Sequence, residues 1–311
     1  MRENKANKFG LKRSSLTSGQ KRQIRQNAGF GCVICGKAIG QYEHIDPPFS
    51  EAKEHDPSKM TYLCASHHEE VTRGHRSKES IAKAALDPIA KKAGFSFGAF
   101  DVGSDSPTIT IGPVVVKSCK SIITVLGKEV LAIHDPEEPG TPFRLNAEMR
   151  DAAGKVIFSI QDNEWKIRNG NWDAEIVGPQ IVIRESPGSI ALKIRTDPPS
   201  SLFVEQMNMS YRGHSIECDA QKFEIVAPSG RRILVGGAQM TGCEGAVVID
   251  SNSIILGVGG GSVMLMNAAI DYVHKPPLRS IRRRRLELWL RSTTAIVGIP
   301  ASILNALISP Q

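Results

Sequence analysis

Two short ligand pairs constrain this chain more than anything else in it. Cys32-x-x-Cys35 and Cys64-x-x-His67 are separated by 28 residues in a segment too small to bury much core. A Cys-x-x-Cys turn brings two thiolates onto one ion, and a second pair is needed to close a tetrahedron. Cys32, Cys35, Cys64 and His67 therefore predict a structural zinc site whose metal supplies folding energy that a small hydrophobic core cannot. The other cysteines, Cys119, Cys218 and Cys243, are scattered and make a poor disulfide framework, which suits a reducing compartment. The N-terminal MRENKANKFGLKRSS carries charge and no apolar run, so the expected location is cytoplasmic, without a secretory leader.

Charge is distributed unevenly. Residues 1–100 hold 17 basic and 10 acidic side chains, whereas residues 101–311 hold 22 of each. A basic front and a neutral back point to a polyanionic partner for the front alone. With 41% apolar and 23% charged residues over 311 positions, the composition excludes wholesale disorder and a polytopic membrane protein, and it suits two soluble domains.

Five of the eight histidines fall between positions 44 and 75, a concentration that packing alone does not explain. Zinc has no need of His44 or His68, yet both stand beside its ligands. The stretches around Gln41–Ile45 and Lys59–Leu63 alternate like two short strands, and a helix carrying His67 and His68 should follow. The predicted unit is strand, loop, strand, helix, with His44 and His68 facing each other and Glu43 adding a carboxylate. Such a set suits phosphodiester hydrolysis, which needs a base for water, a Lewis acid and cations for the polyanion. An imidazole of ordinary pKa, about 6.5, can be a neutral base at pH 7. Lys21, Arg22, Arg25, Lys59, Arg73 and Arg76 are the candidate phosphate contacts.

The block Glu43-His44-Ile45-x-Pro47, the Cys32-x-x-Cys35 turn and Leu63-Cys64-x-x-His67-His68 together resemble the HNH (ββα-metal) endonucleases over about 50 residues, from Phe30 to Ser80. The resemblance implies that His44 is the general base. It implies that Glu43 and His68 help to hold a catalytic Mg2+ or Mn2+, and that Cys32, Cys35, Cys64 and His67 hold the zinc. Two departures stand out. Lys59 falls where that family carries its middle asparagine, and His55, four residues upstream, is the candidate substitute; the competing reading of His55 is an exposed loop residue.

The expected class is therefore α+β. Residues 1–25 form a basic arm, with a hydroxyl-capped helix starting at Thr17 or Ser18. Residues 26–95 form a zinc-clamped ββα-metal domain, including a helix capped by Ser77 and stopped by Pro88. Residues 96–107, in a Gly/Ser-rich run, read as a linker. Residues 108–275 form a larger all-β domain, a sandwich, barrel or solenoid, from recurring period-two runs near 108–116, 129–133, 144–149, 155–161, 180–184, 189–195, 222–226, 231–236 and 246–250. Trp165 and Trp172 are expected in its core or on a sheet face. Residues 276–311, with arginines at 282–285 and an uncharged tail from 292, predict a docking helix or an oligomer contact rather than a membrane span. The functional expectation is a DNA endonuclease, with RNA as the other substrate to test and homo-oligomerisation through the β domain or the C-terminal helix. The alternative is a zinc-clamped nucleic-acid adaptor whose hydrolytic centre has lapsed.

Overall fold

The computed structural model describes residues 6–251, 253–272 and 299–300. The capping chemistry that the sequence displays is used as expected. Helix α1 (Ser18–Ala28) starts at Thr17, whose hydroxyl accepts from the Gln20 amide while the Gln20 side chain returns to the Thr17 amide, and it ends at Gly29 in a left-handed conformation. Strands β1 (Gln41–His44) and β2 (Met60–Leu63) pair antiparallel, with Glu43 opposite Thr61 and His44 opposite Met60. Helix α2 (Ala65–Thr72) follows directly. Helix α3 (Lys78–Leu86) is capped by Ser77, and Pro88 starts the short α4 (Ile89–Ala93). Leu16, Ile24, Val33, Tyr62, Leu63 and Ile81 form the core beneath these elements, together with Cys32 and Cys64.

The region expected as a linker contains strand β3 (Phe95–Ala99). Its partner comes much later in the chain. After six strands, β4 (Thr108–Ile111), β5 (Val114–Lys117), β6 (Ser121–Val125), β7 (Lys128–His134), β8 (Arg144–Arg150) and β9 (Val156–Gln161), the chain reaches β10 (Glu164–Arg168), which pairs antiparallel with β3. The glycine that makes Phe95–Ala99 look like a linker is required by this pairing. A Cβ on Gly98 would sit 2.3 Å from the Trp165 ring, which is 2% exposed. Strands β11 (Asp173–Val177) and β12 (Gln180–Ser186) form a further antiparallel pair, and α1 packs on β11.

The chain thus divides differently from the expected boundaries. One compact unit joins Met1–Ala99 to Glu164–Ser189; the other joins Phe100–Asn163 to Ile190–Gln311. In the second unit, β13 (Ser189–Asp197), β14 (Ser201–Tyr211), β15 (His214–Cys218), β16 (Phe223–Val226), β17 (Arg231–Thr241), β18 (Gly245–Ile249), β19 (Ile254–Val258) and β20 (Ser262–Tyr272) complete the strands. They lie in two mixed sheets. One runs β19-β18-β6-β7-β8-β9, with β18 and β6 parallel. The other runs β13 to β17 and then β20, with β4 parallel to β14 and β5 parallel to β17. Alternating burial along β8 and β14 supplies core from one face of each strand. The described chain is mostly strand with few helices, as expected of its rear half, and Trp165 is a core residue. The expected C-terminal helix and the arginines at 282–285 lie outside the described residues, apart from a two-residue strand at Ile299–Pro300 that pairs with Ser262 and Val263. Among the described residues, no helix is long and apolar enough to cross a membrane.

Candidate functional site

The turn after Gly31 sets two thiols in place. The Gly36 amide donates to the Cys32 carbonyl and the Cys32 amide to the Lys37 carbonyl, both at 2.8 Å, while the Val33 amide ties the turn to the Tyr62 carbonyl on β2. Gly31 has no room for a side chain, since a Cβ there would lie 2.6 Å from the Gly36 oxygen. Cys64 sits at the end of β2 as the N-cap of α2 and makes no capping bond with its side chain, which leaves its sulfur free to face the turn. His67, one helical turn on, completes the group: the four donor atoms lie within 4.8 Å of one another. His67 Nδ1 is 3.3 Å from both Cys32 Sγ and Cys64 Sγ, and the sulfurs of Cys35 and Cys64 are 3.8 Å apart. Tetrahedral zinc needs sulfurs about 3.8 Å apart and sulfur about 3.5 Å from nitrogen. The Cys32, Cys35, Cys64 and His67 donors thus fit a metal ion such as zinc. Burial, reinforced by the neighbouring thiols, pushes Cys35 up to about 12, so metal entry there must displace protons.

The remaining residues form two adjoining clusters rather than one. Glu43 Oε2 lies 2.9 Å from His68 Nε2, and Glu43 Oε1 accepts from the Lys78 ammonium, which also donates to the His44 carbonyl. Burial opposes ionisation of Glu43, but the hydrogen bonds from His68 and Lys78 outweigh it and hold the carboxyl below its usual range. The imidazole expected opposite His68 turns elsewhere. His44 Nε2 is 3.1 Å from His55 Nδ1, and the His44 ring lies 5.4 Å from that of Phe49, over which Arg13 stacks at 4.3 Å. Successive residues on a strand point to opposite faces, which is why Glu43 meets the helices and His44 the loop. Burial first, then the nearby His55 and Arg13, push His44 down to about 4, so the ring is neutral near pH 7. His44 is 3% exposed and its Nδ1 has no partner.

Several expected roles change on this geometry. His55 is not an exposed loop residue: it is 7% exposed and bonded to the Lys12 carbonyl. The expected arm is not a free tail over residues 7–16. Asn7 donates to the Phe49 and Ala52 carbonyls at 2.6 Å, and Leu16 is buried. Arg25 is not a surface phosphate contact. It is 3% exposed and committed to both oxygens of Asp173, with Glu175 and the Tyr42 hydroxyl alongside. Lys21 and Arg22 reach the surface over the rings of Tyr42 and Trp172, at 6.0 and 4.4 Å. Lys59 is exposed beside Asp56 at 3.9 Å. Arg73 and Arg76 are matched by Glu69 and Glu70 at 2.6 and 2.7 Å. Lys78 was missed by sequence reasoning. The one available signal is its position in the first turn of α3, where a cation is disfavoured by the helix dipole unless a carboxylate compensates.

No family model, curated protein or solved structure matches the chain.

Proposed function

We propose that this protein is a divalent-metal-dependent endonuclease of the HNH type that hydrolyses phosphodiester bonds in DNA, with a structural zinc held by Cys32, Cys35, Cys64 and His67. The observation that carries this reading is a buried, neutral His44 with an unpartnered Nδ1, adjacent in the chain to a carboxylate paired with His68. In this reading His44 Nδ1 takes a proton from water as the water oxygen bonds to phosphorus. The phosphorus–oxygen bond to the departing strand breaks, and that oxygen is protonated from solvent. Glu43 and His68 would hold Mg2+ or Mn2+ once Lys78 withdraws from the carboxylate; the ion supplies Lewis acidity at the scissile phosphate. Lys21, Arg22 and Lys59 are the side chains best placed to meet the nucleic-acid backbone, with Arg73 and Arg76 at the rim. Cytoplasmic location and self-association through the β-rich unit belong to the same proposal.

A second reading is favoured by Lys78. An ammonium on Glu43 and on the His44 carbonyl occupies the carboxylate that a metal would need, and Lys59 stands where the HNH pattern has asparagine. Both features suit an adaptor that binds nucleic acid without cutting it. Incubating the zinc-loaded chain with supercoiled plasmid, single-stranded DNA and RNA in Mg2+ or Mn2+ separates the two. The nuclease reading expects cleavage that His44→Ala lowers by about 10² or more. Binding without cleavage under every ion supports the adaptor, and undiminished cleavage by His44→Ala removes His44 from the chemistry.

A further inference from the structure

His55 is a buried histidine beside His44 that the proposed hydrolysis leaves without a task, and its two nitrogens meet partners of opposite meaning. Its Nε2 lies 2.9 Å from the Lys12 carbonyl oxygen and 3.2 Å from the Ser15 hydroxyl oxygen. The Ser15 hydroxyl already donates to that same carbonyl, at 2.6 Å. Both groups therefore present lone pairs to His55, and Nε2 must carry the proton. In a neutral ring Nδ1 is then an acceptor. The atom facing it at 3.1 Å is His44 Nε2, which must in turn be the donor. The proton positions are assigned from the chemistry of the partners, and they leave the lone pair of His44 on Nδ1, the buried nitrogen with no partner.

We infer that His55 is a positioning residue: braced on the Lys12 carbonyl, it locks His44 in the tautomer that can accept a proton from water. The inference rests on the reading of His44 as a base, and it deepens that reading by giving the base an orienting partner, as a carboxylate orients the histidine of a hydrolytic triad. It also gives residues 7–16 a part in the site. The Lys12 carbonyl also accepts from the Ser15 amide and hydroxyl, and Asn7 ties the same segment to the 49–52 loop.

The test uses the full-length, zinc-loaded chain labelled with 15N-histidine, with the His44 resonances assigned by their loss in His44→Gln. Long-range proton–nitrogen correlation spectra read which nitrogen carries the proton, independently of any cleavage. Wild type is expected to show His44 in a single form, protonated on Nε2. His55→Ala is expected to average the two tautomers and to lower kcat about tenfold or more with KM little changed. His55→Gln should restore both, since its amide oxygen can accept from His44 while its NH2 donates to the Lys12 carbonyl. Zinc content and thermal melting confirm that each variant is folded. If wild-type His44 carries its proton on Nδ1, the inference is overturned. It is also overturned if His55→Ala keeps the single Nε2–H form and full kcat, or if folded His55→Gln behaves as His55→Ala. Should no substrate be cut while the tautomer still depends on His55, the bracing stands and the nuclease reading falls.

Discussion

At the residue scale, burial decides which charges hold the fold and which are left for chemistry. Arg25 and Asp173 have side chains 4% and 5% exposed at 2.8 Å separation, so removing either strands a buried charge. Arg25→Ala is expected to lower stability by about 3–5 kcal/mol in urea denaturation, while nucleic-acid affinity per folded molecule stays unchanged. A drop in affinity at constant stability would return Arg25 to the binding surface. His44 gives the pH dependence. Its folded value of about 4 lies below the ordinary 6.5, so the unfolded chain binds more protons between those limits. Its contribution is therefore fully present above about pH 6.5 and is lost as the pH falls towards 4, amounting to about 2–3 kcal/mol. Thermal melts across this window should be flatter for His44→Gln than for wild type, and that difference separates the histidine from acid-driven loss of zinc. Parallel pH profiles of the two proteins would refute the assignment.

At the scale of elements, α2 is the one most dependent on a ligand. It has eight residues, none of them buried, and its N-cap Cys64 makes no side-chain capping bond. Helices this short are marginal alone, so the metal site has to fix its start. Chelation, or Cys32→Ser, is expected to release the amides of residues 65–72 to rapid hydrogen exchange while β14 and β17 stay protected. Full protection of α2 after metal removal would show that packing suffices. This element was readable in advance because ligand spacing and capping residues are local signals; the same is true of Thr17, Ser77 and Pro88. Strand β3 was not readable, because Gly98 serves a tryptophan 67 positions later and no local pattern records that. The hairpin was legible to within a residue, yet the partner of His44 was not, since the position of His55 depends on the Lys12 carbonyl, which any side chain at position 12 would offer. β8, with its clean alternation, is legible in the sequence. β14 is harder to read because its alternation breaks at Glu205–Gln206, where the buried positions shift from even to odd.

At the scale of the molecule, the first unit is built from two separate stretches of chain. A fragment of residues 1–107 contains the thiols and every candidate catalytic histidine, but it lacks β10 and the Asp173 that neutralises Arg25. Such a fragment is expected to give broad, non-cooperative melting and little DNA binding, whereas co-expression with residues 108–311 should restore both. A sharply melting fragment would show that Glu164–Ser189 is dispensable. The charge asymmetry read from the sequence fits this division, with the surplus positive charge in the stretch that carries the histidines.

Arg25 and Asp173 are 148 residues apart in the chain. A ribosome making this chain exposes His44 and His55 well before it supplies the carboxylate of Asp173 that seats α1. The salt bridge that seats α1 is thus among the late contacts to form during synthesis, and α1 is expected to settle only once β11 has been made.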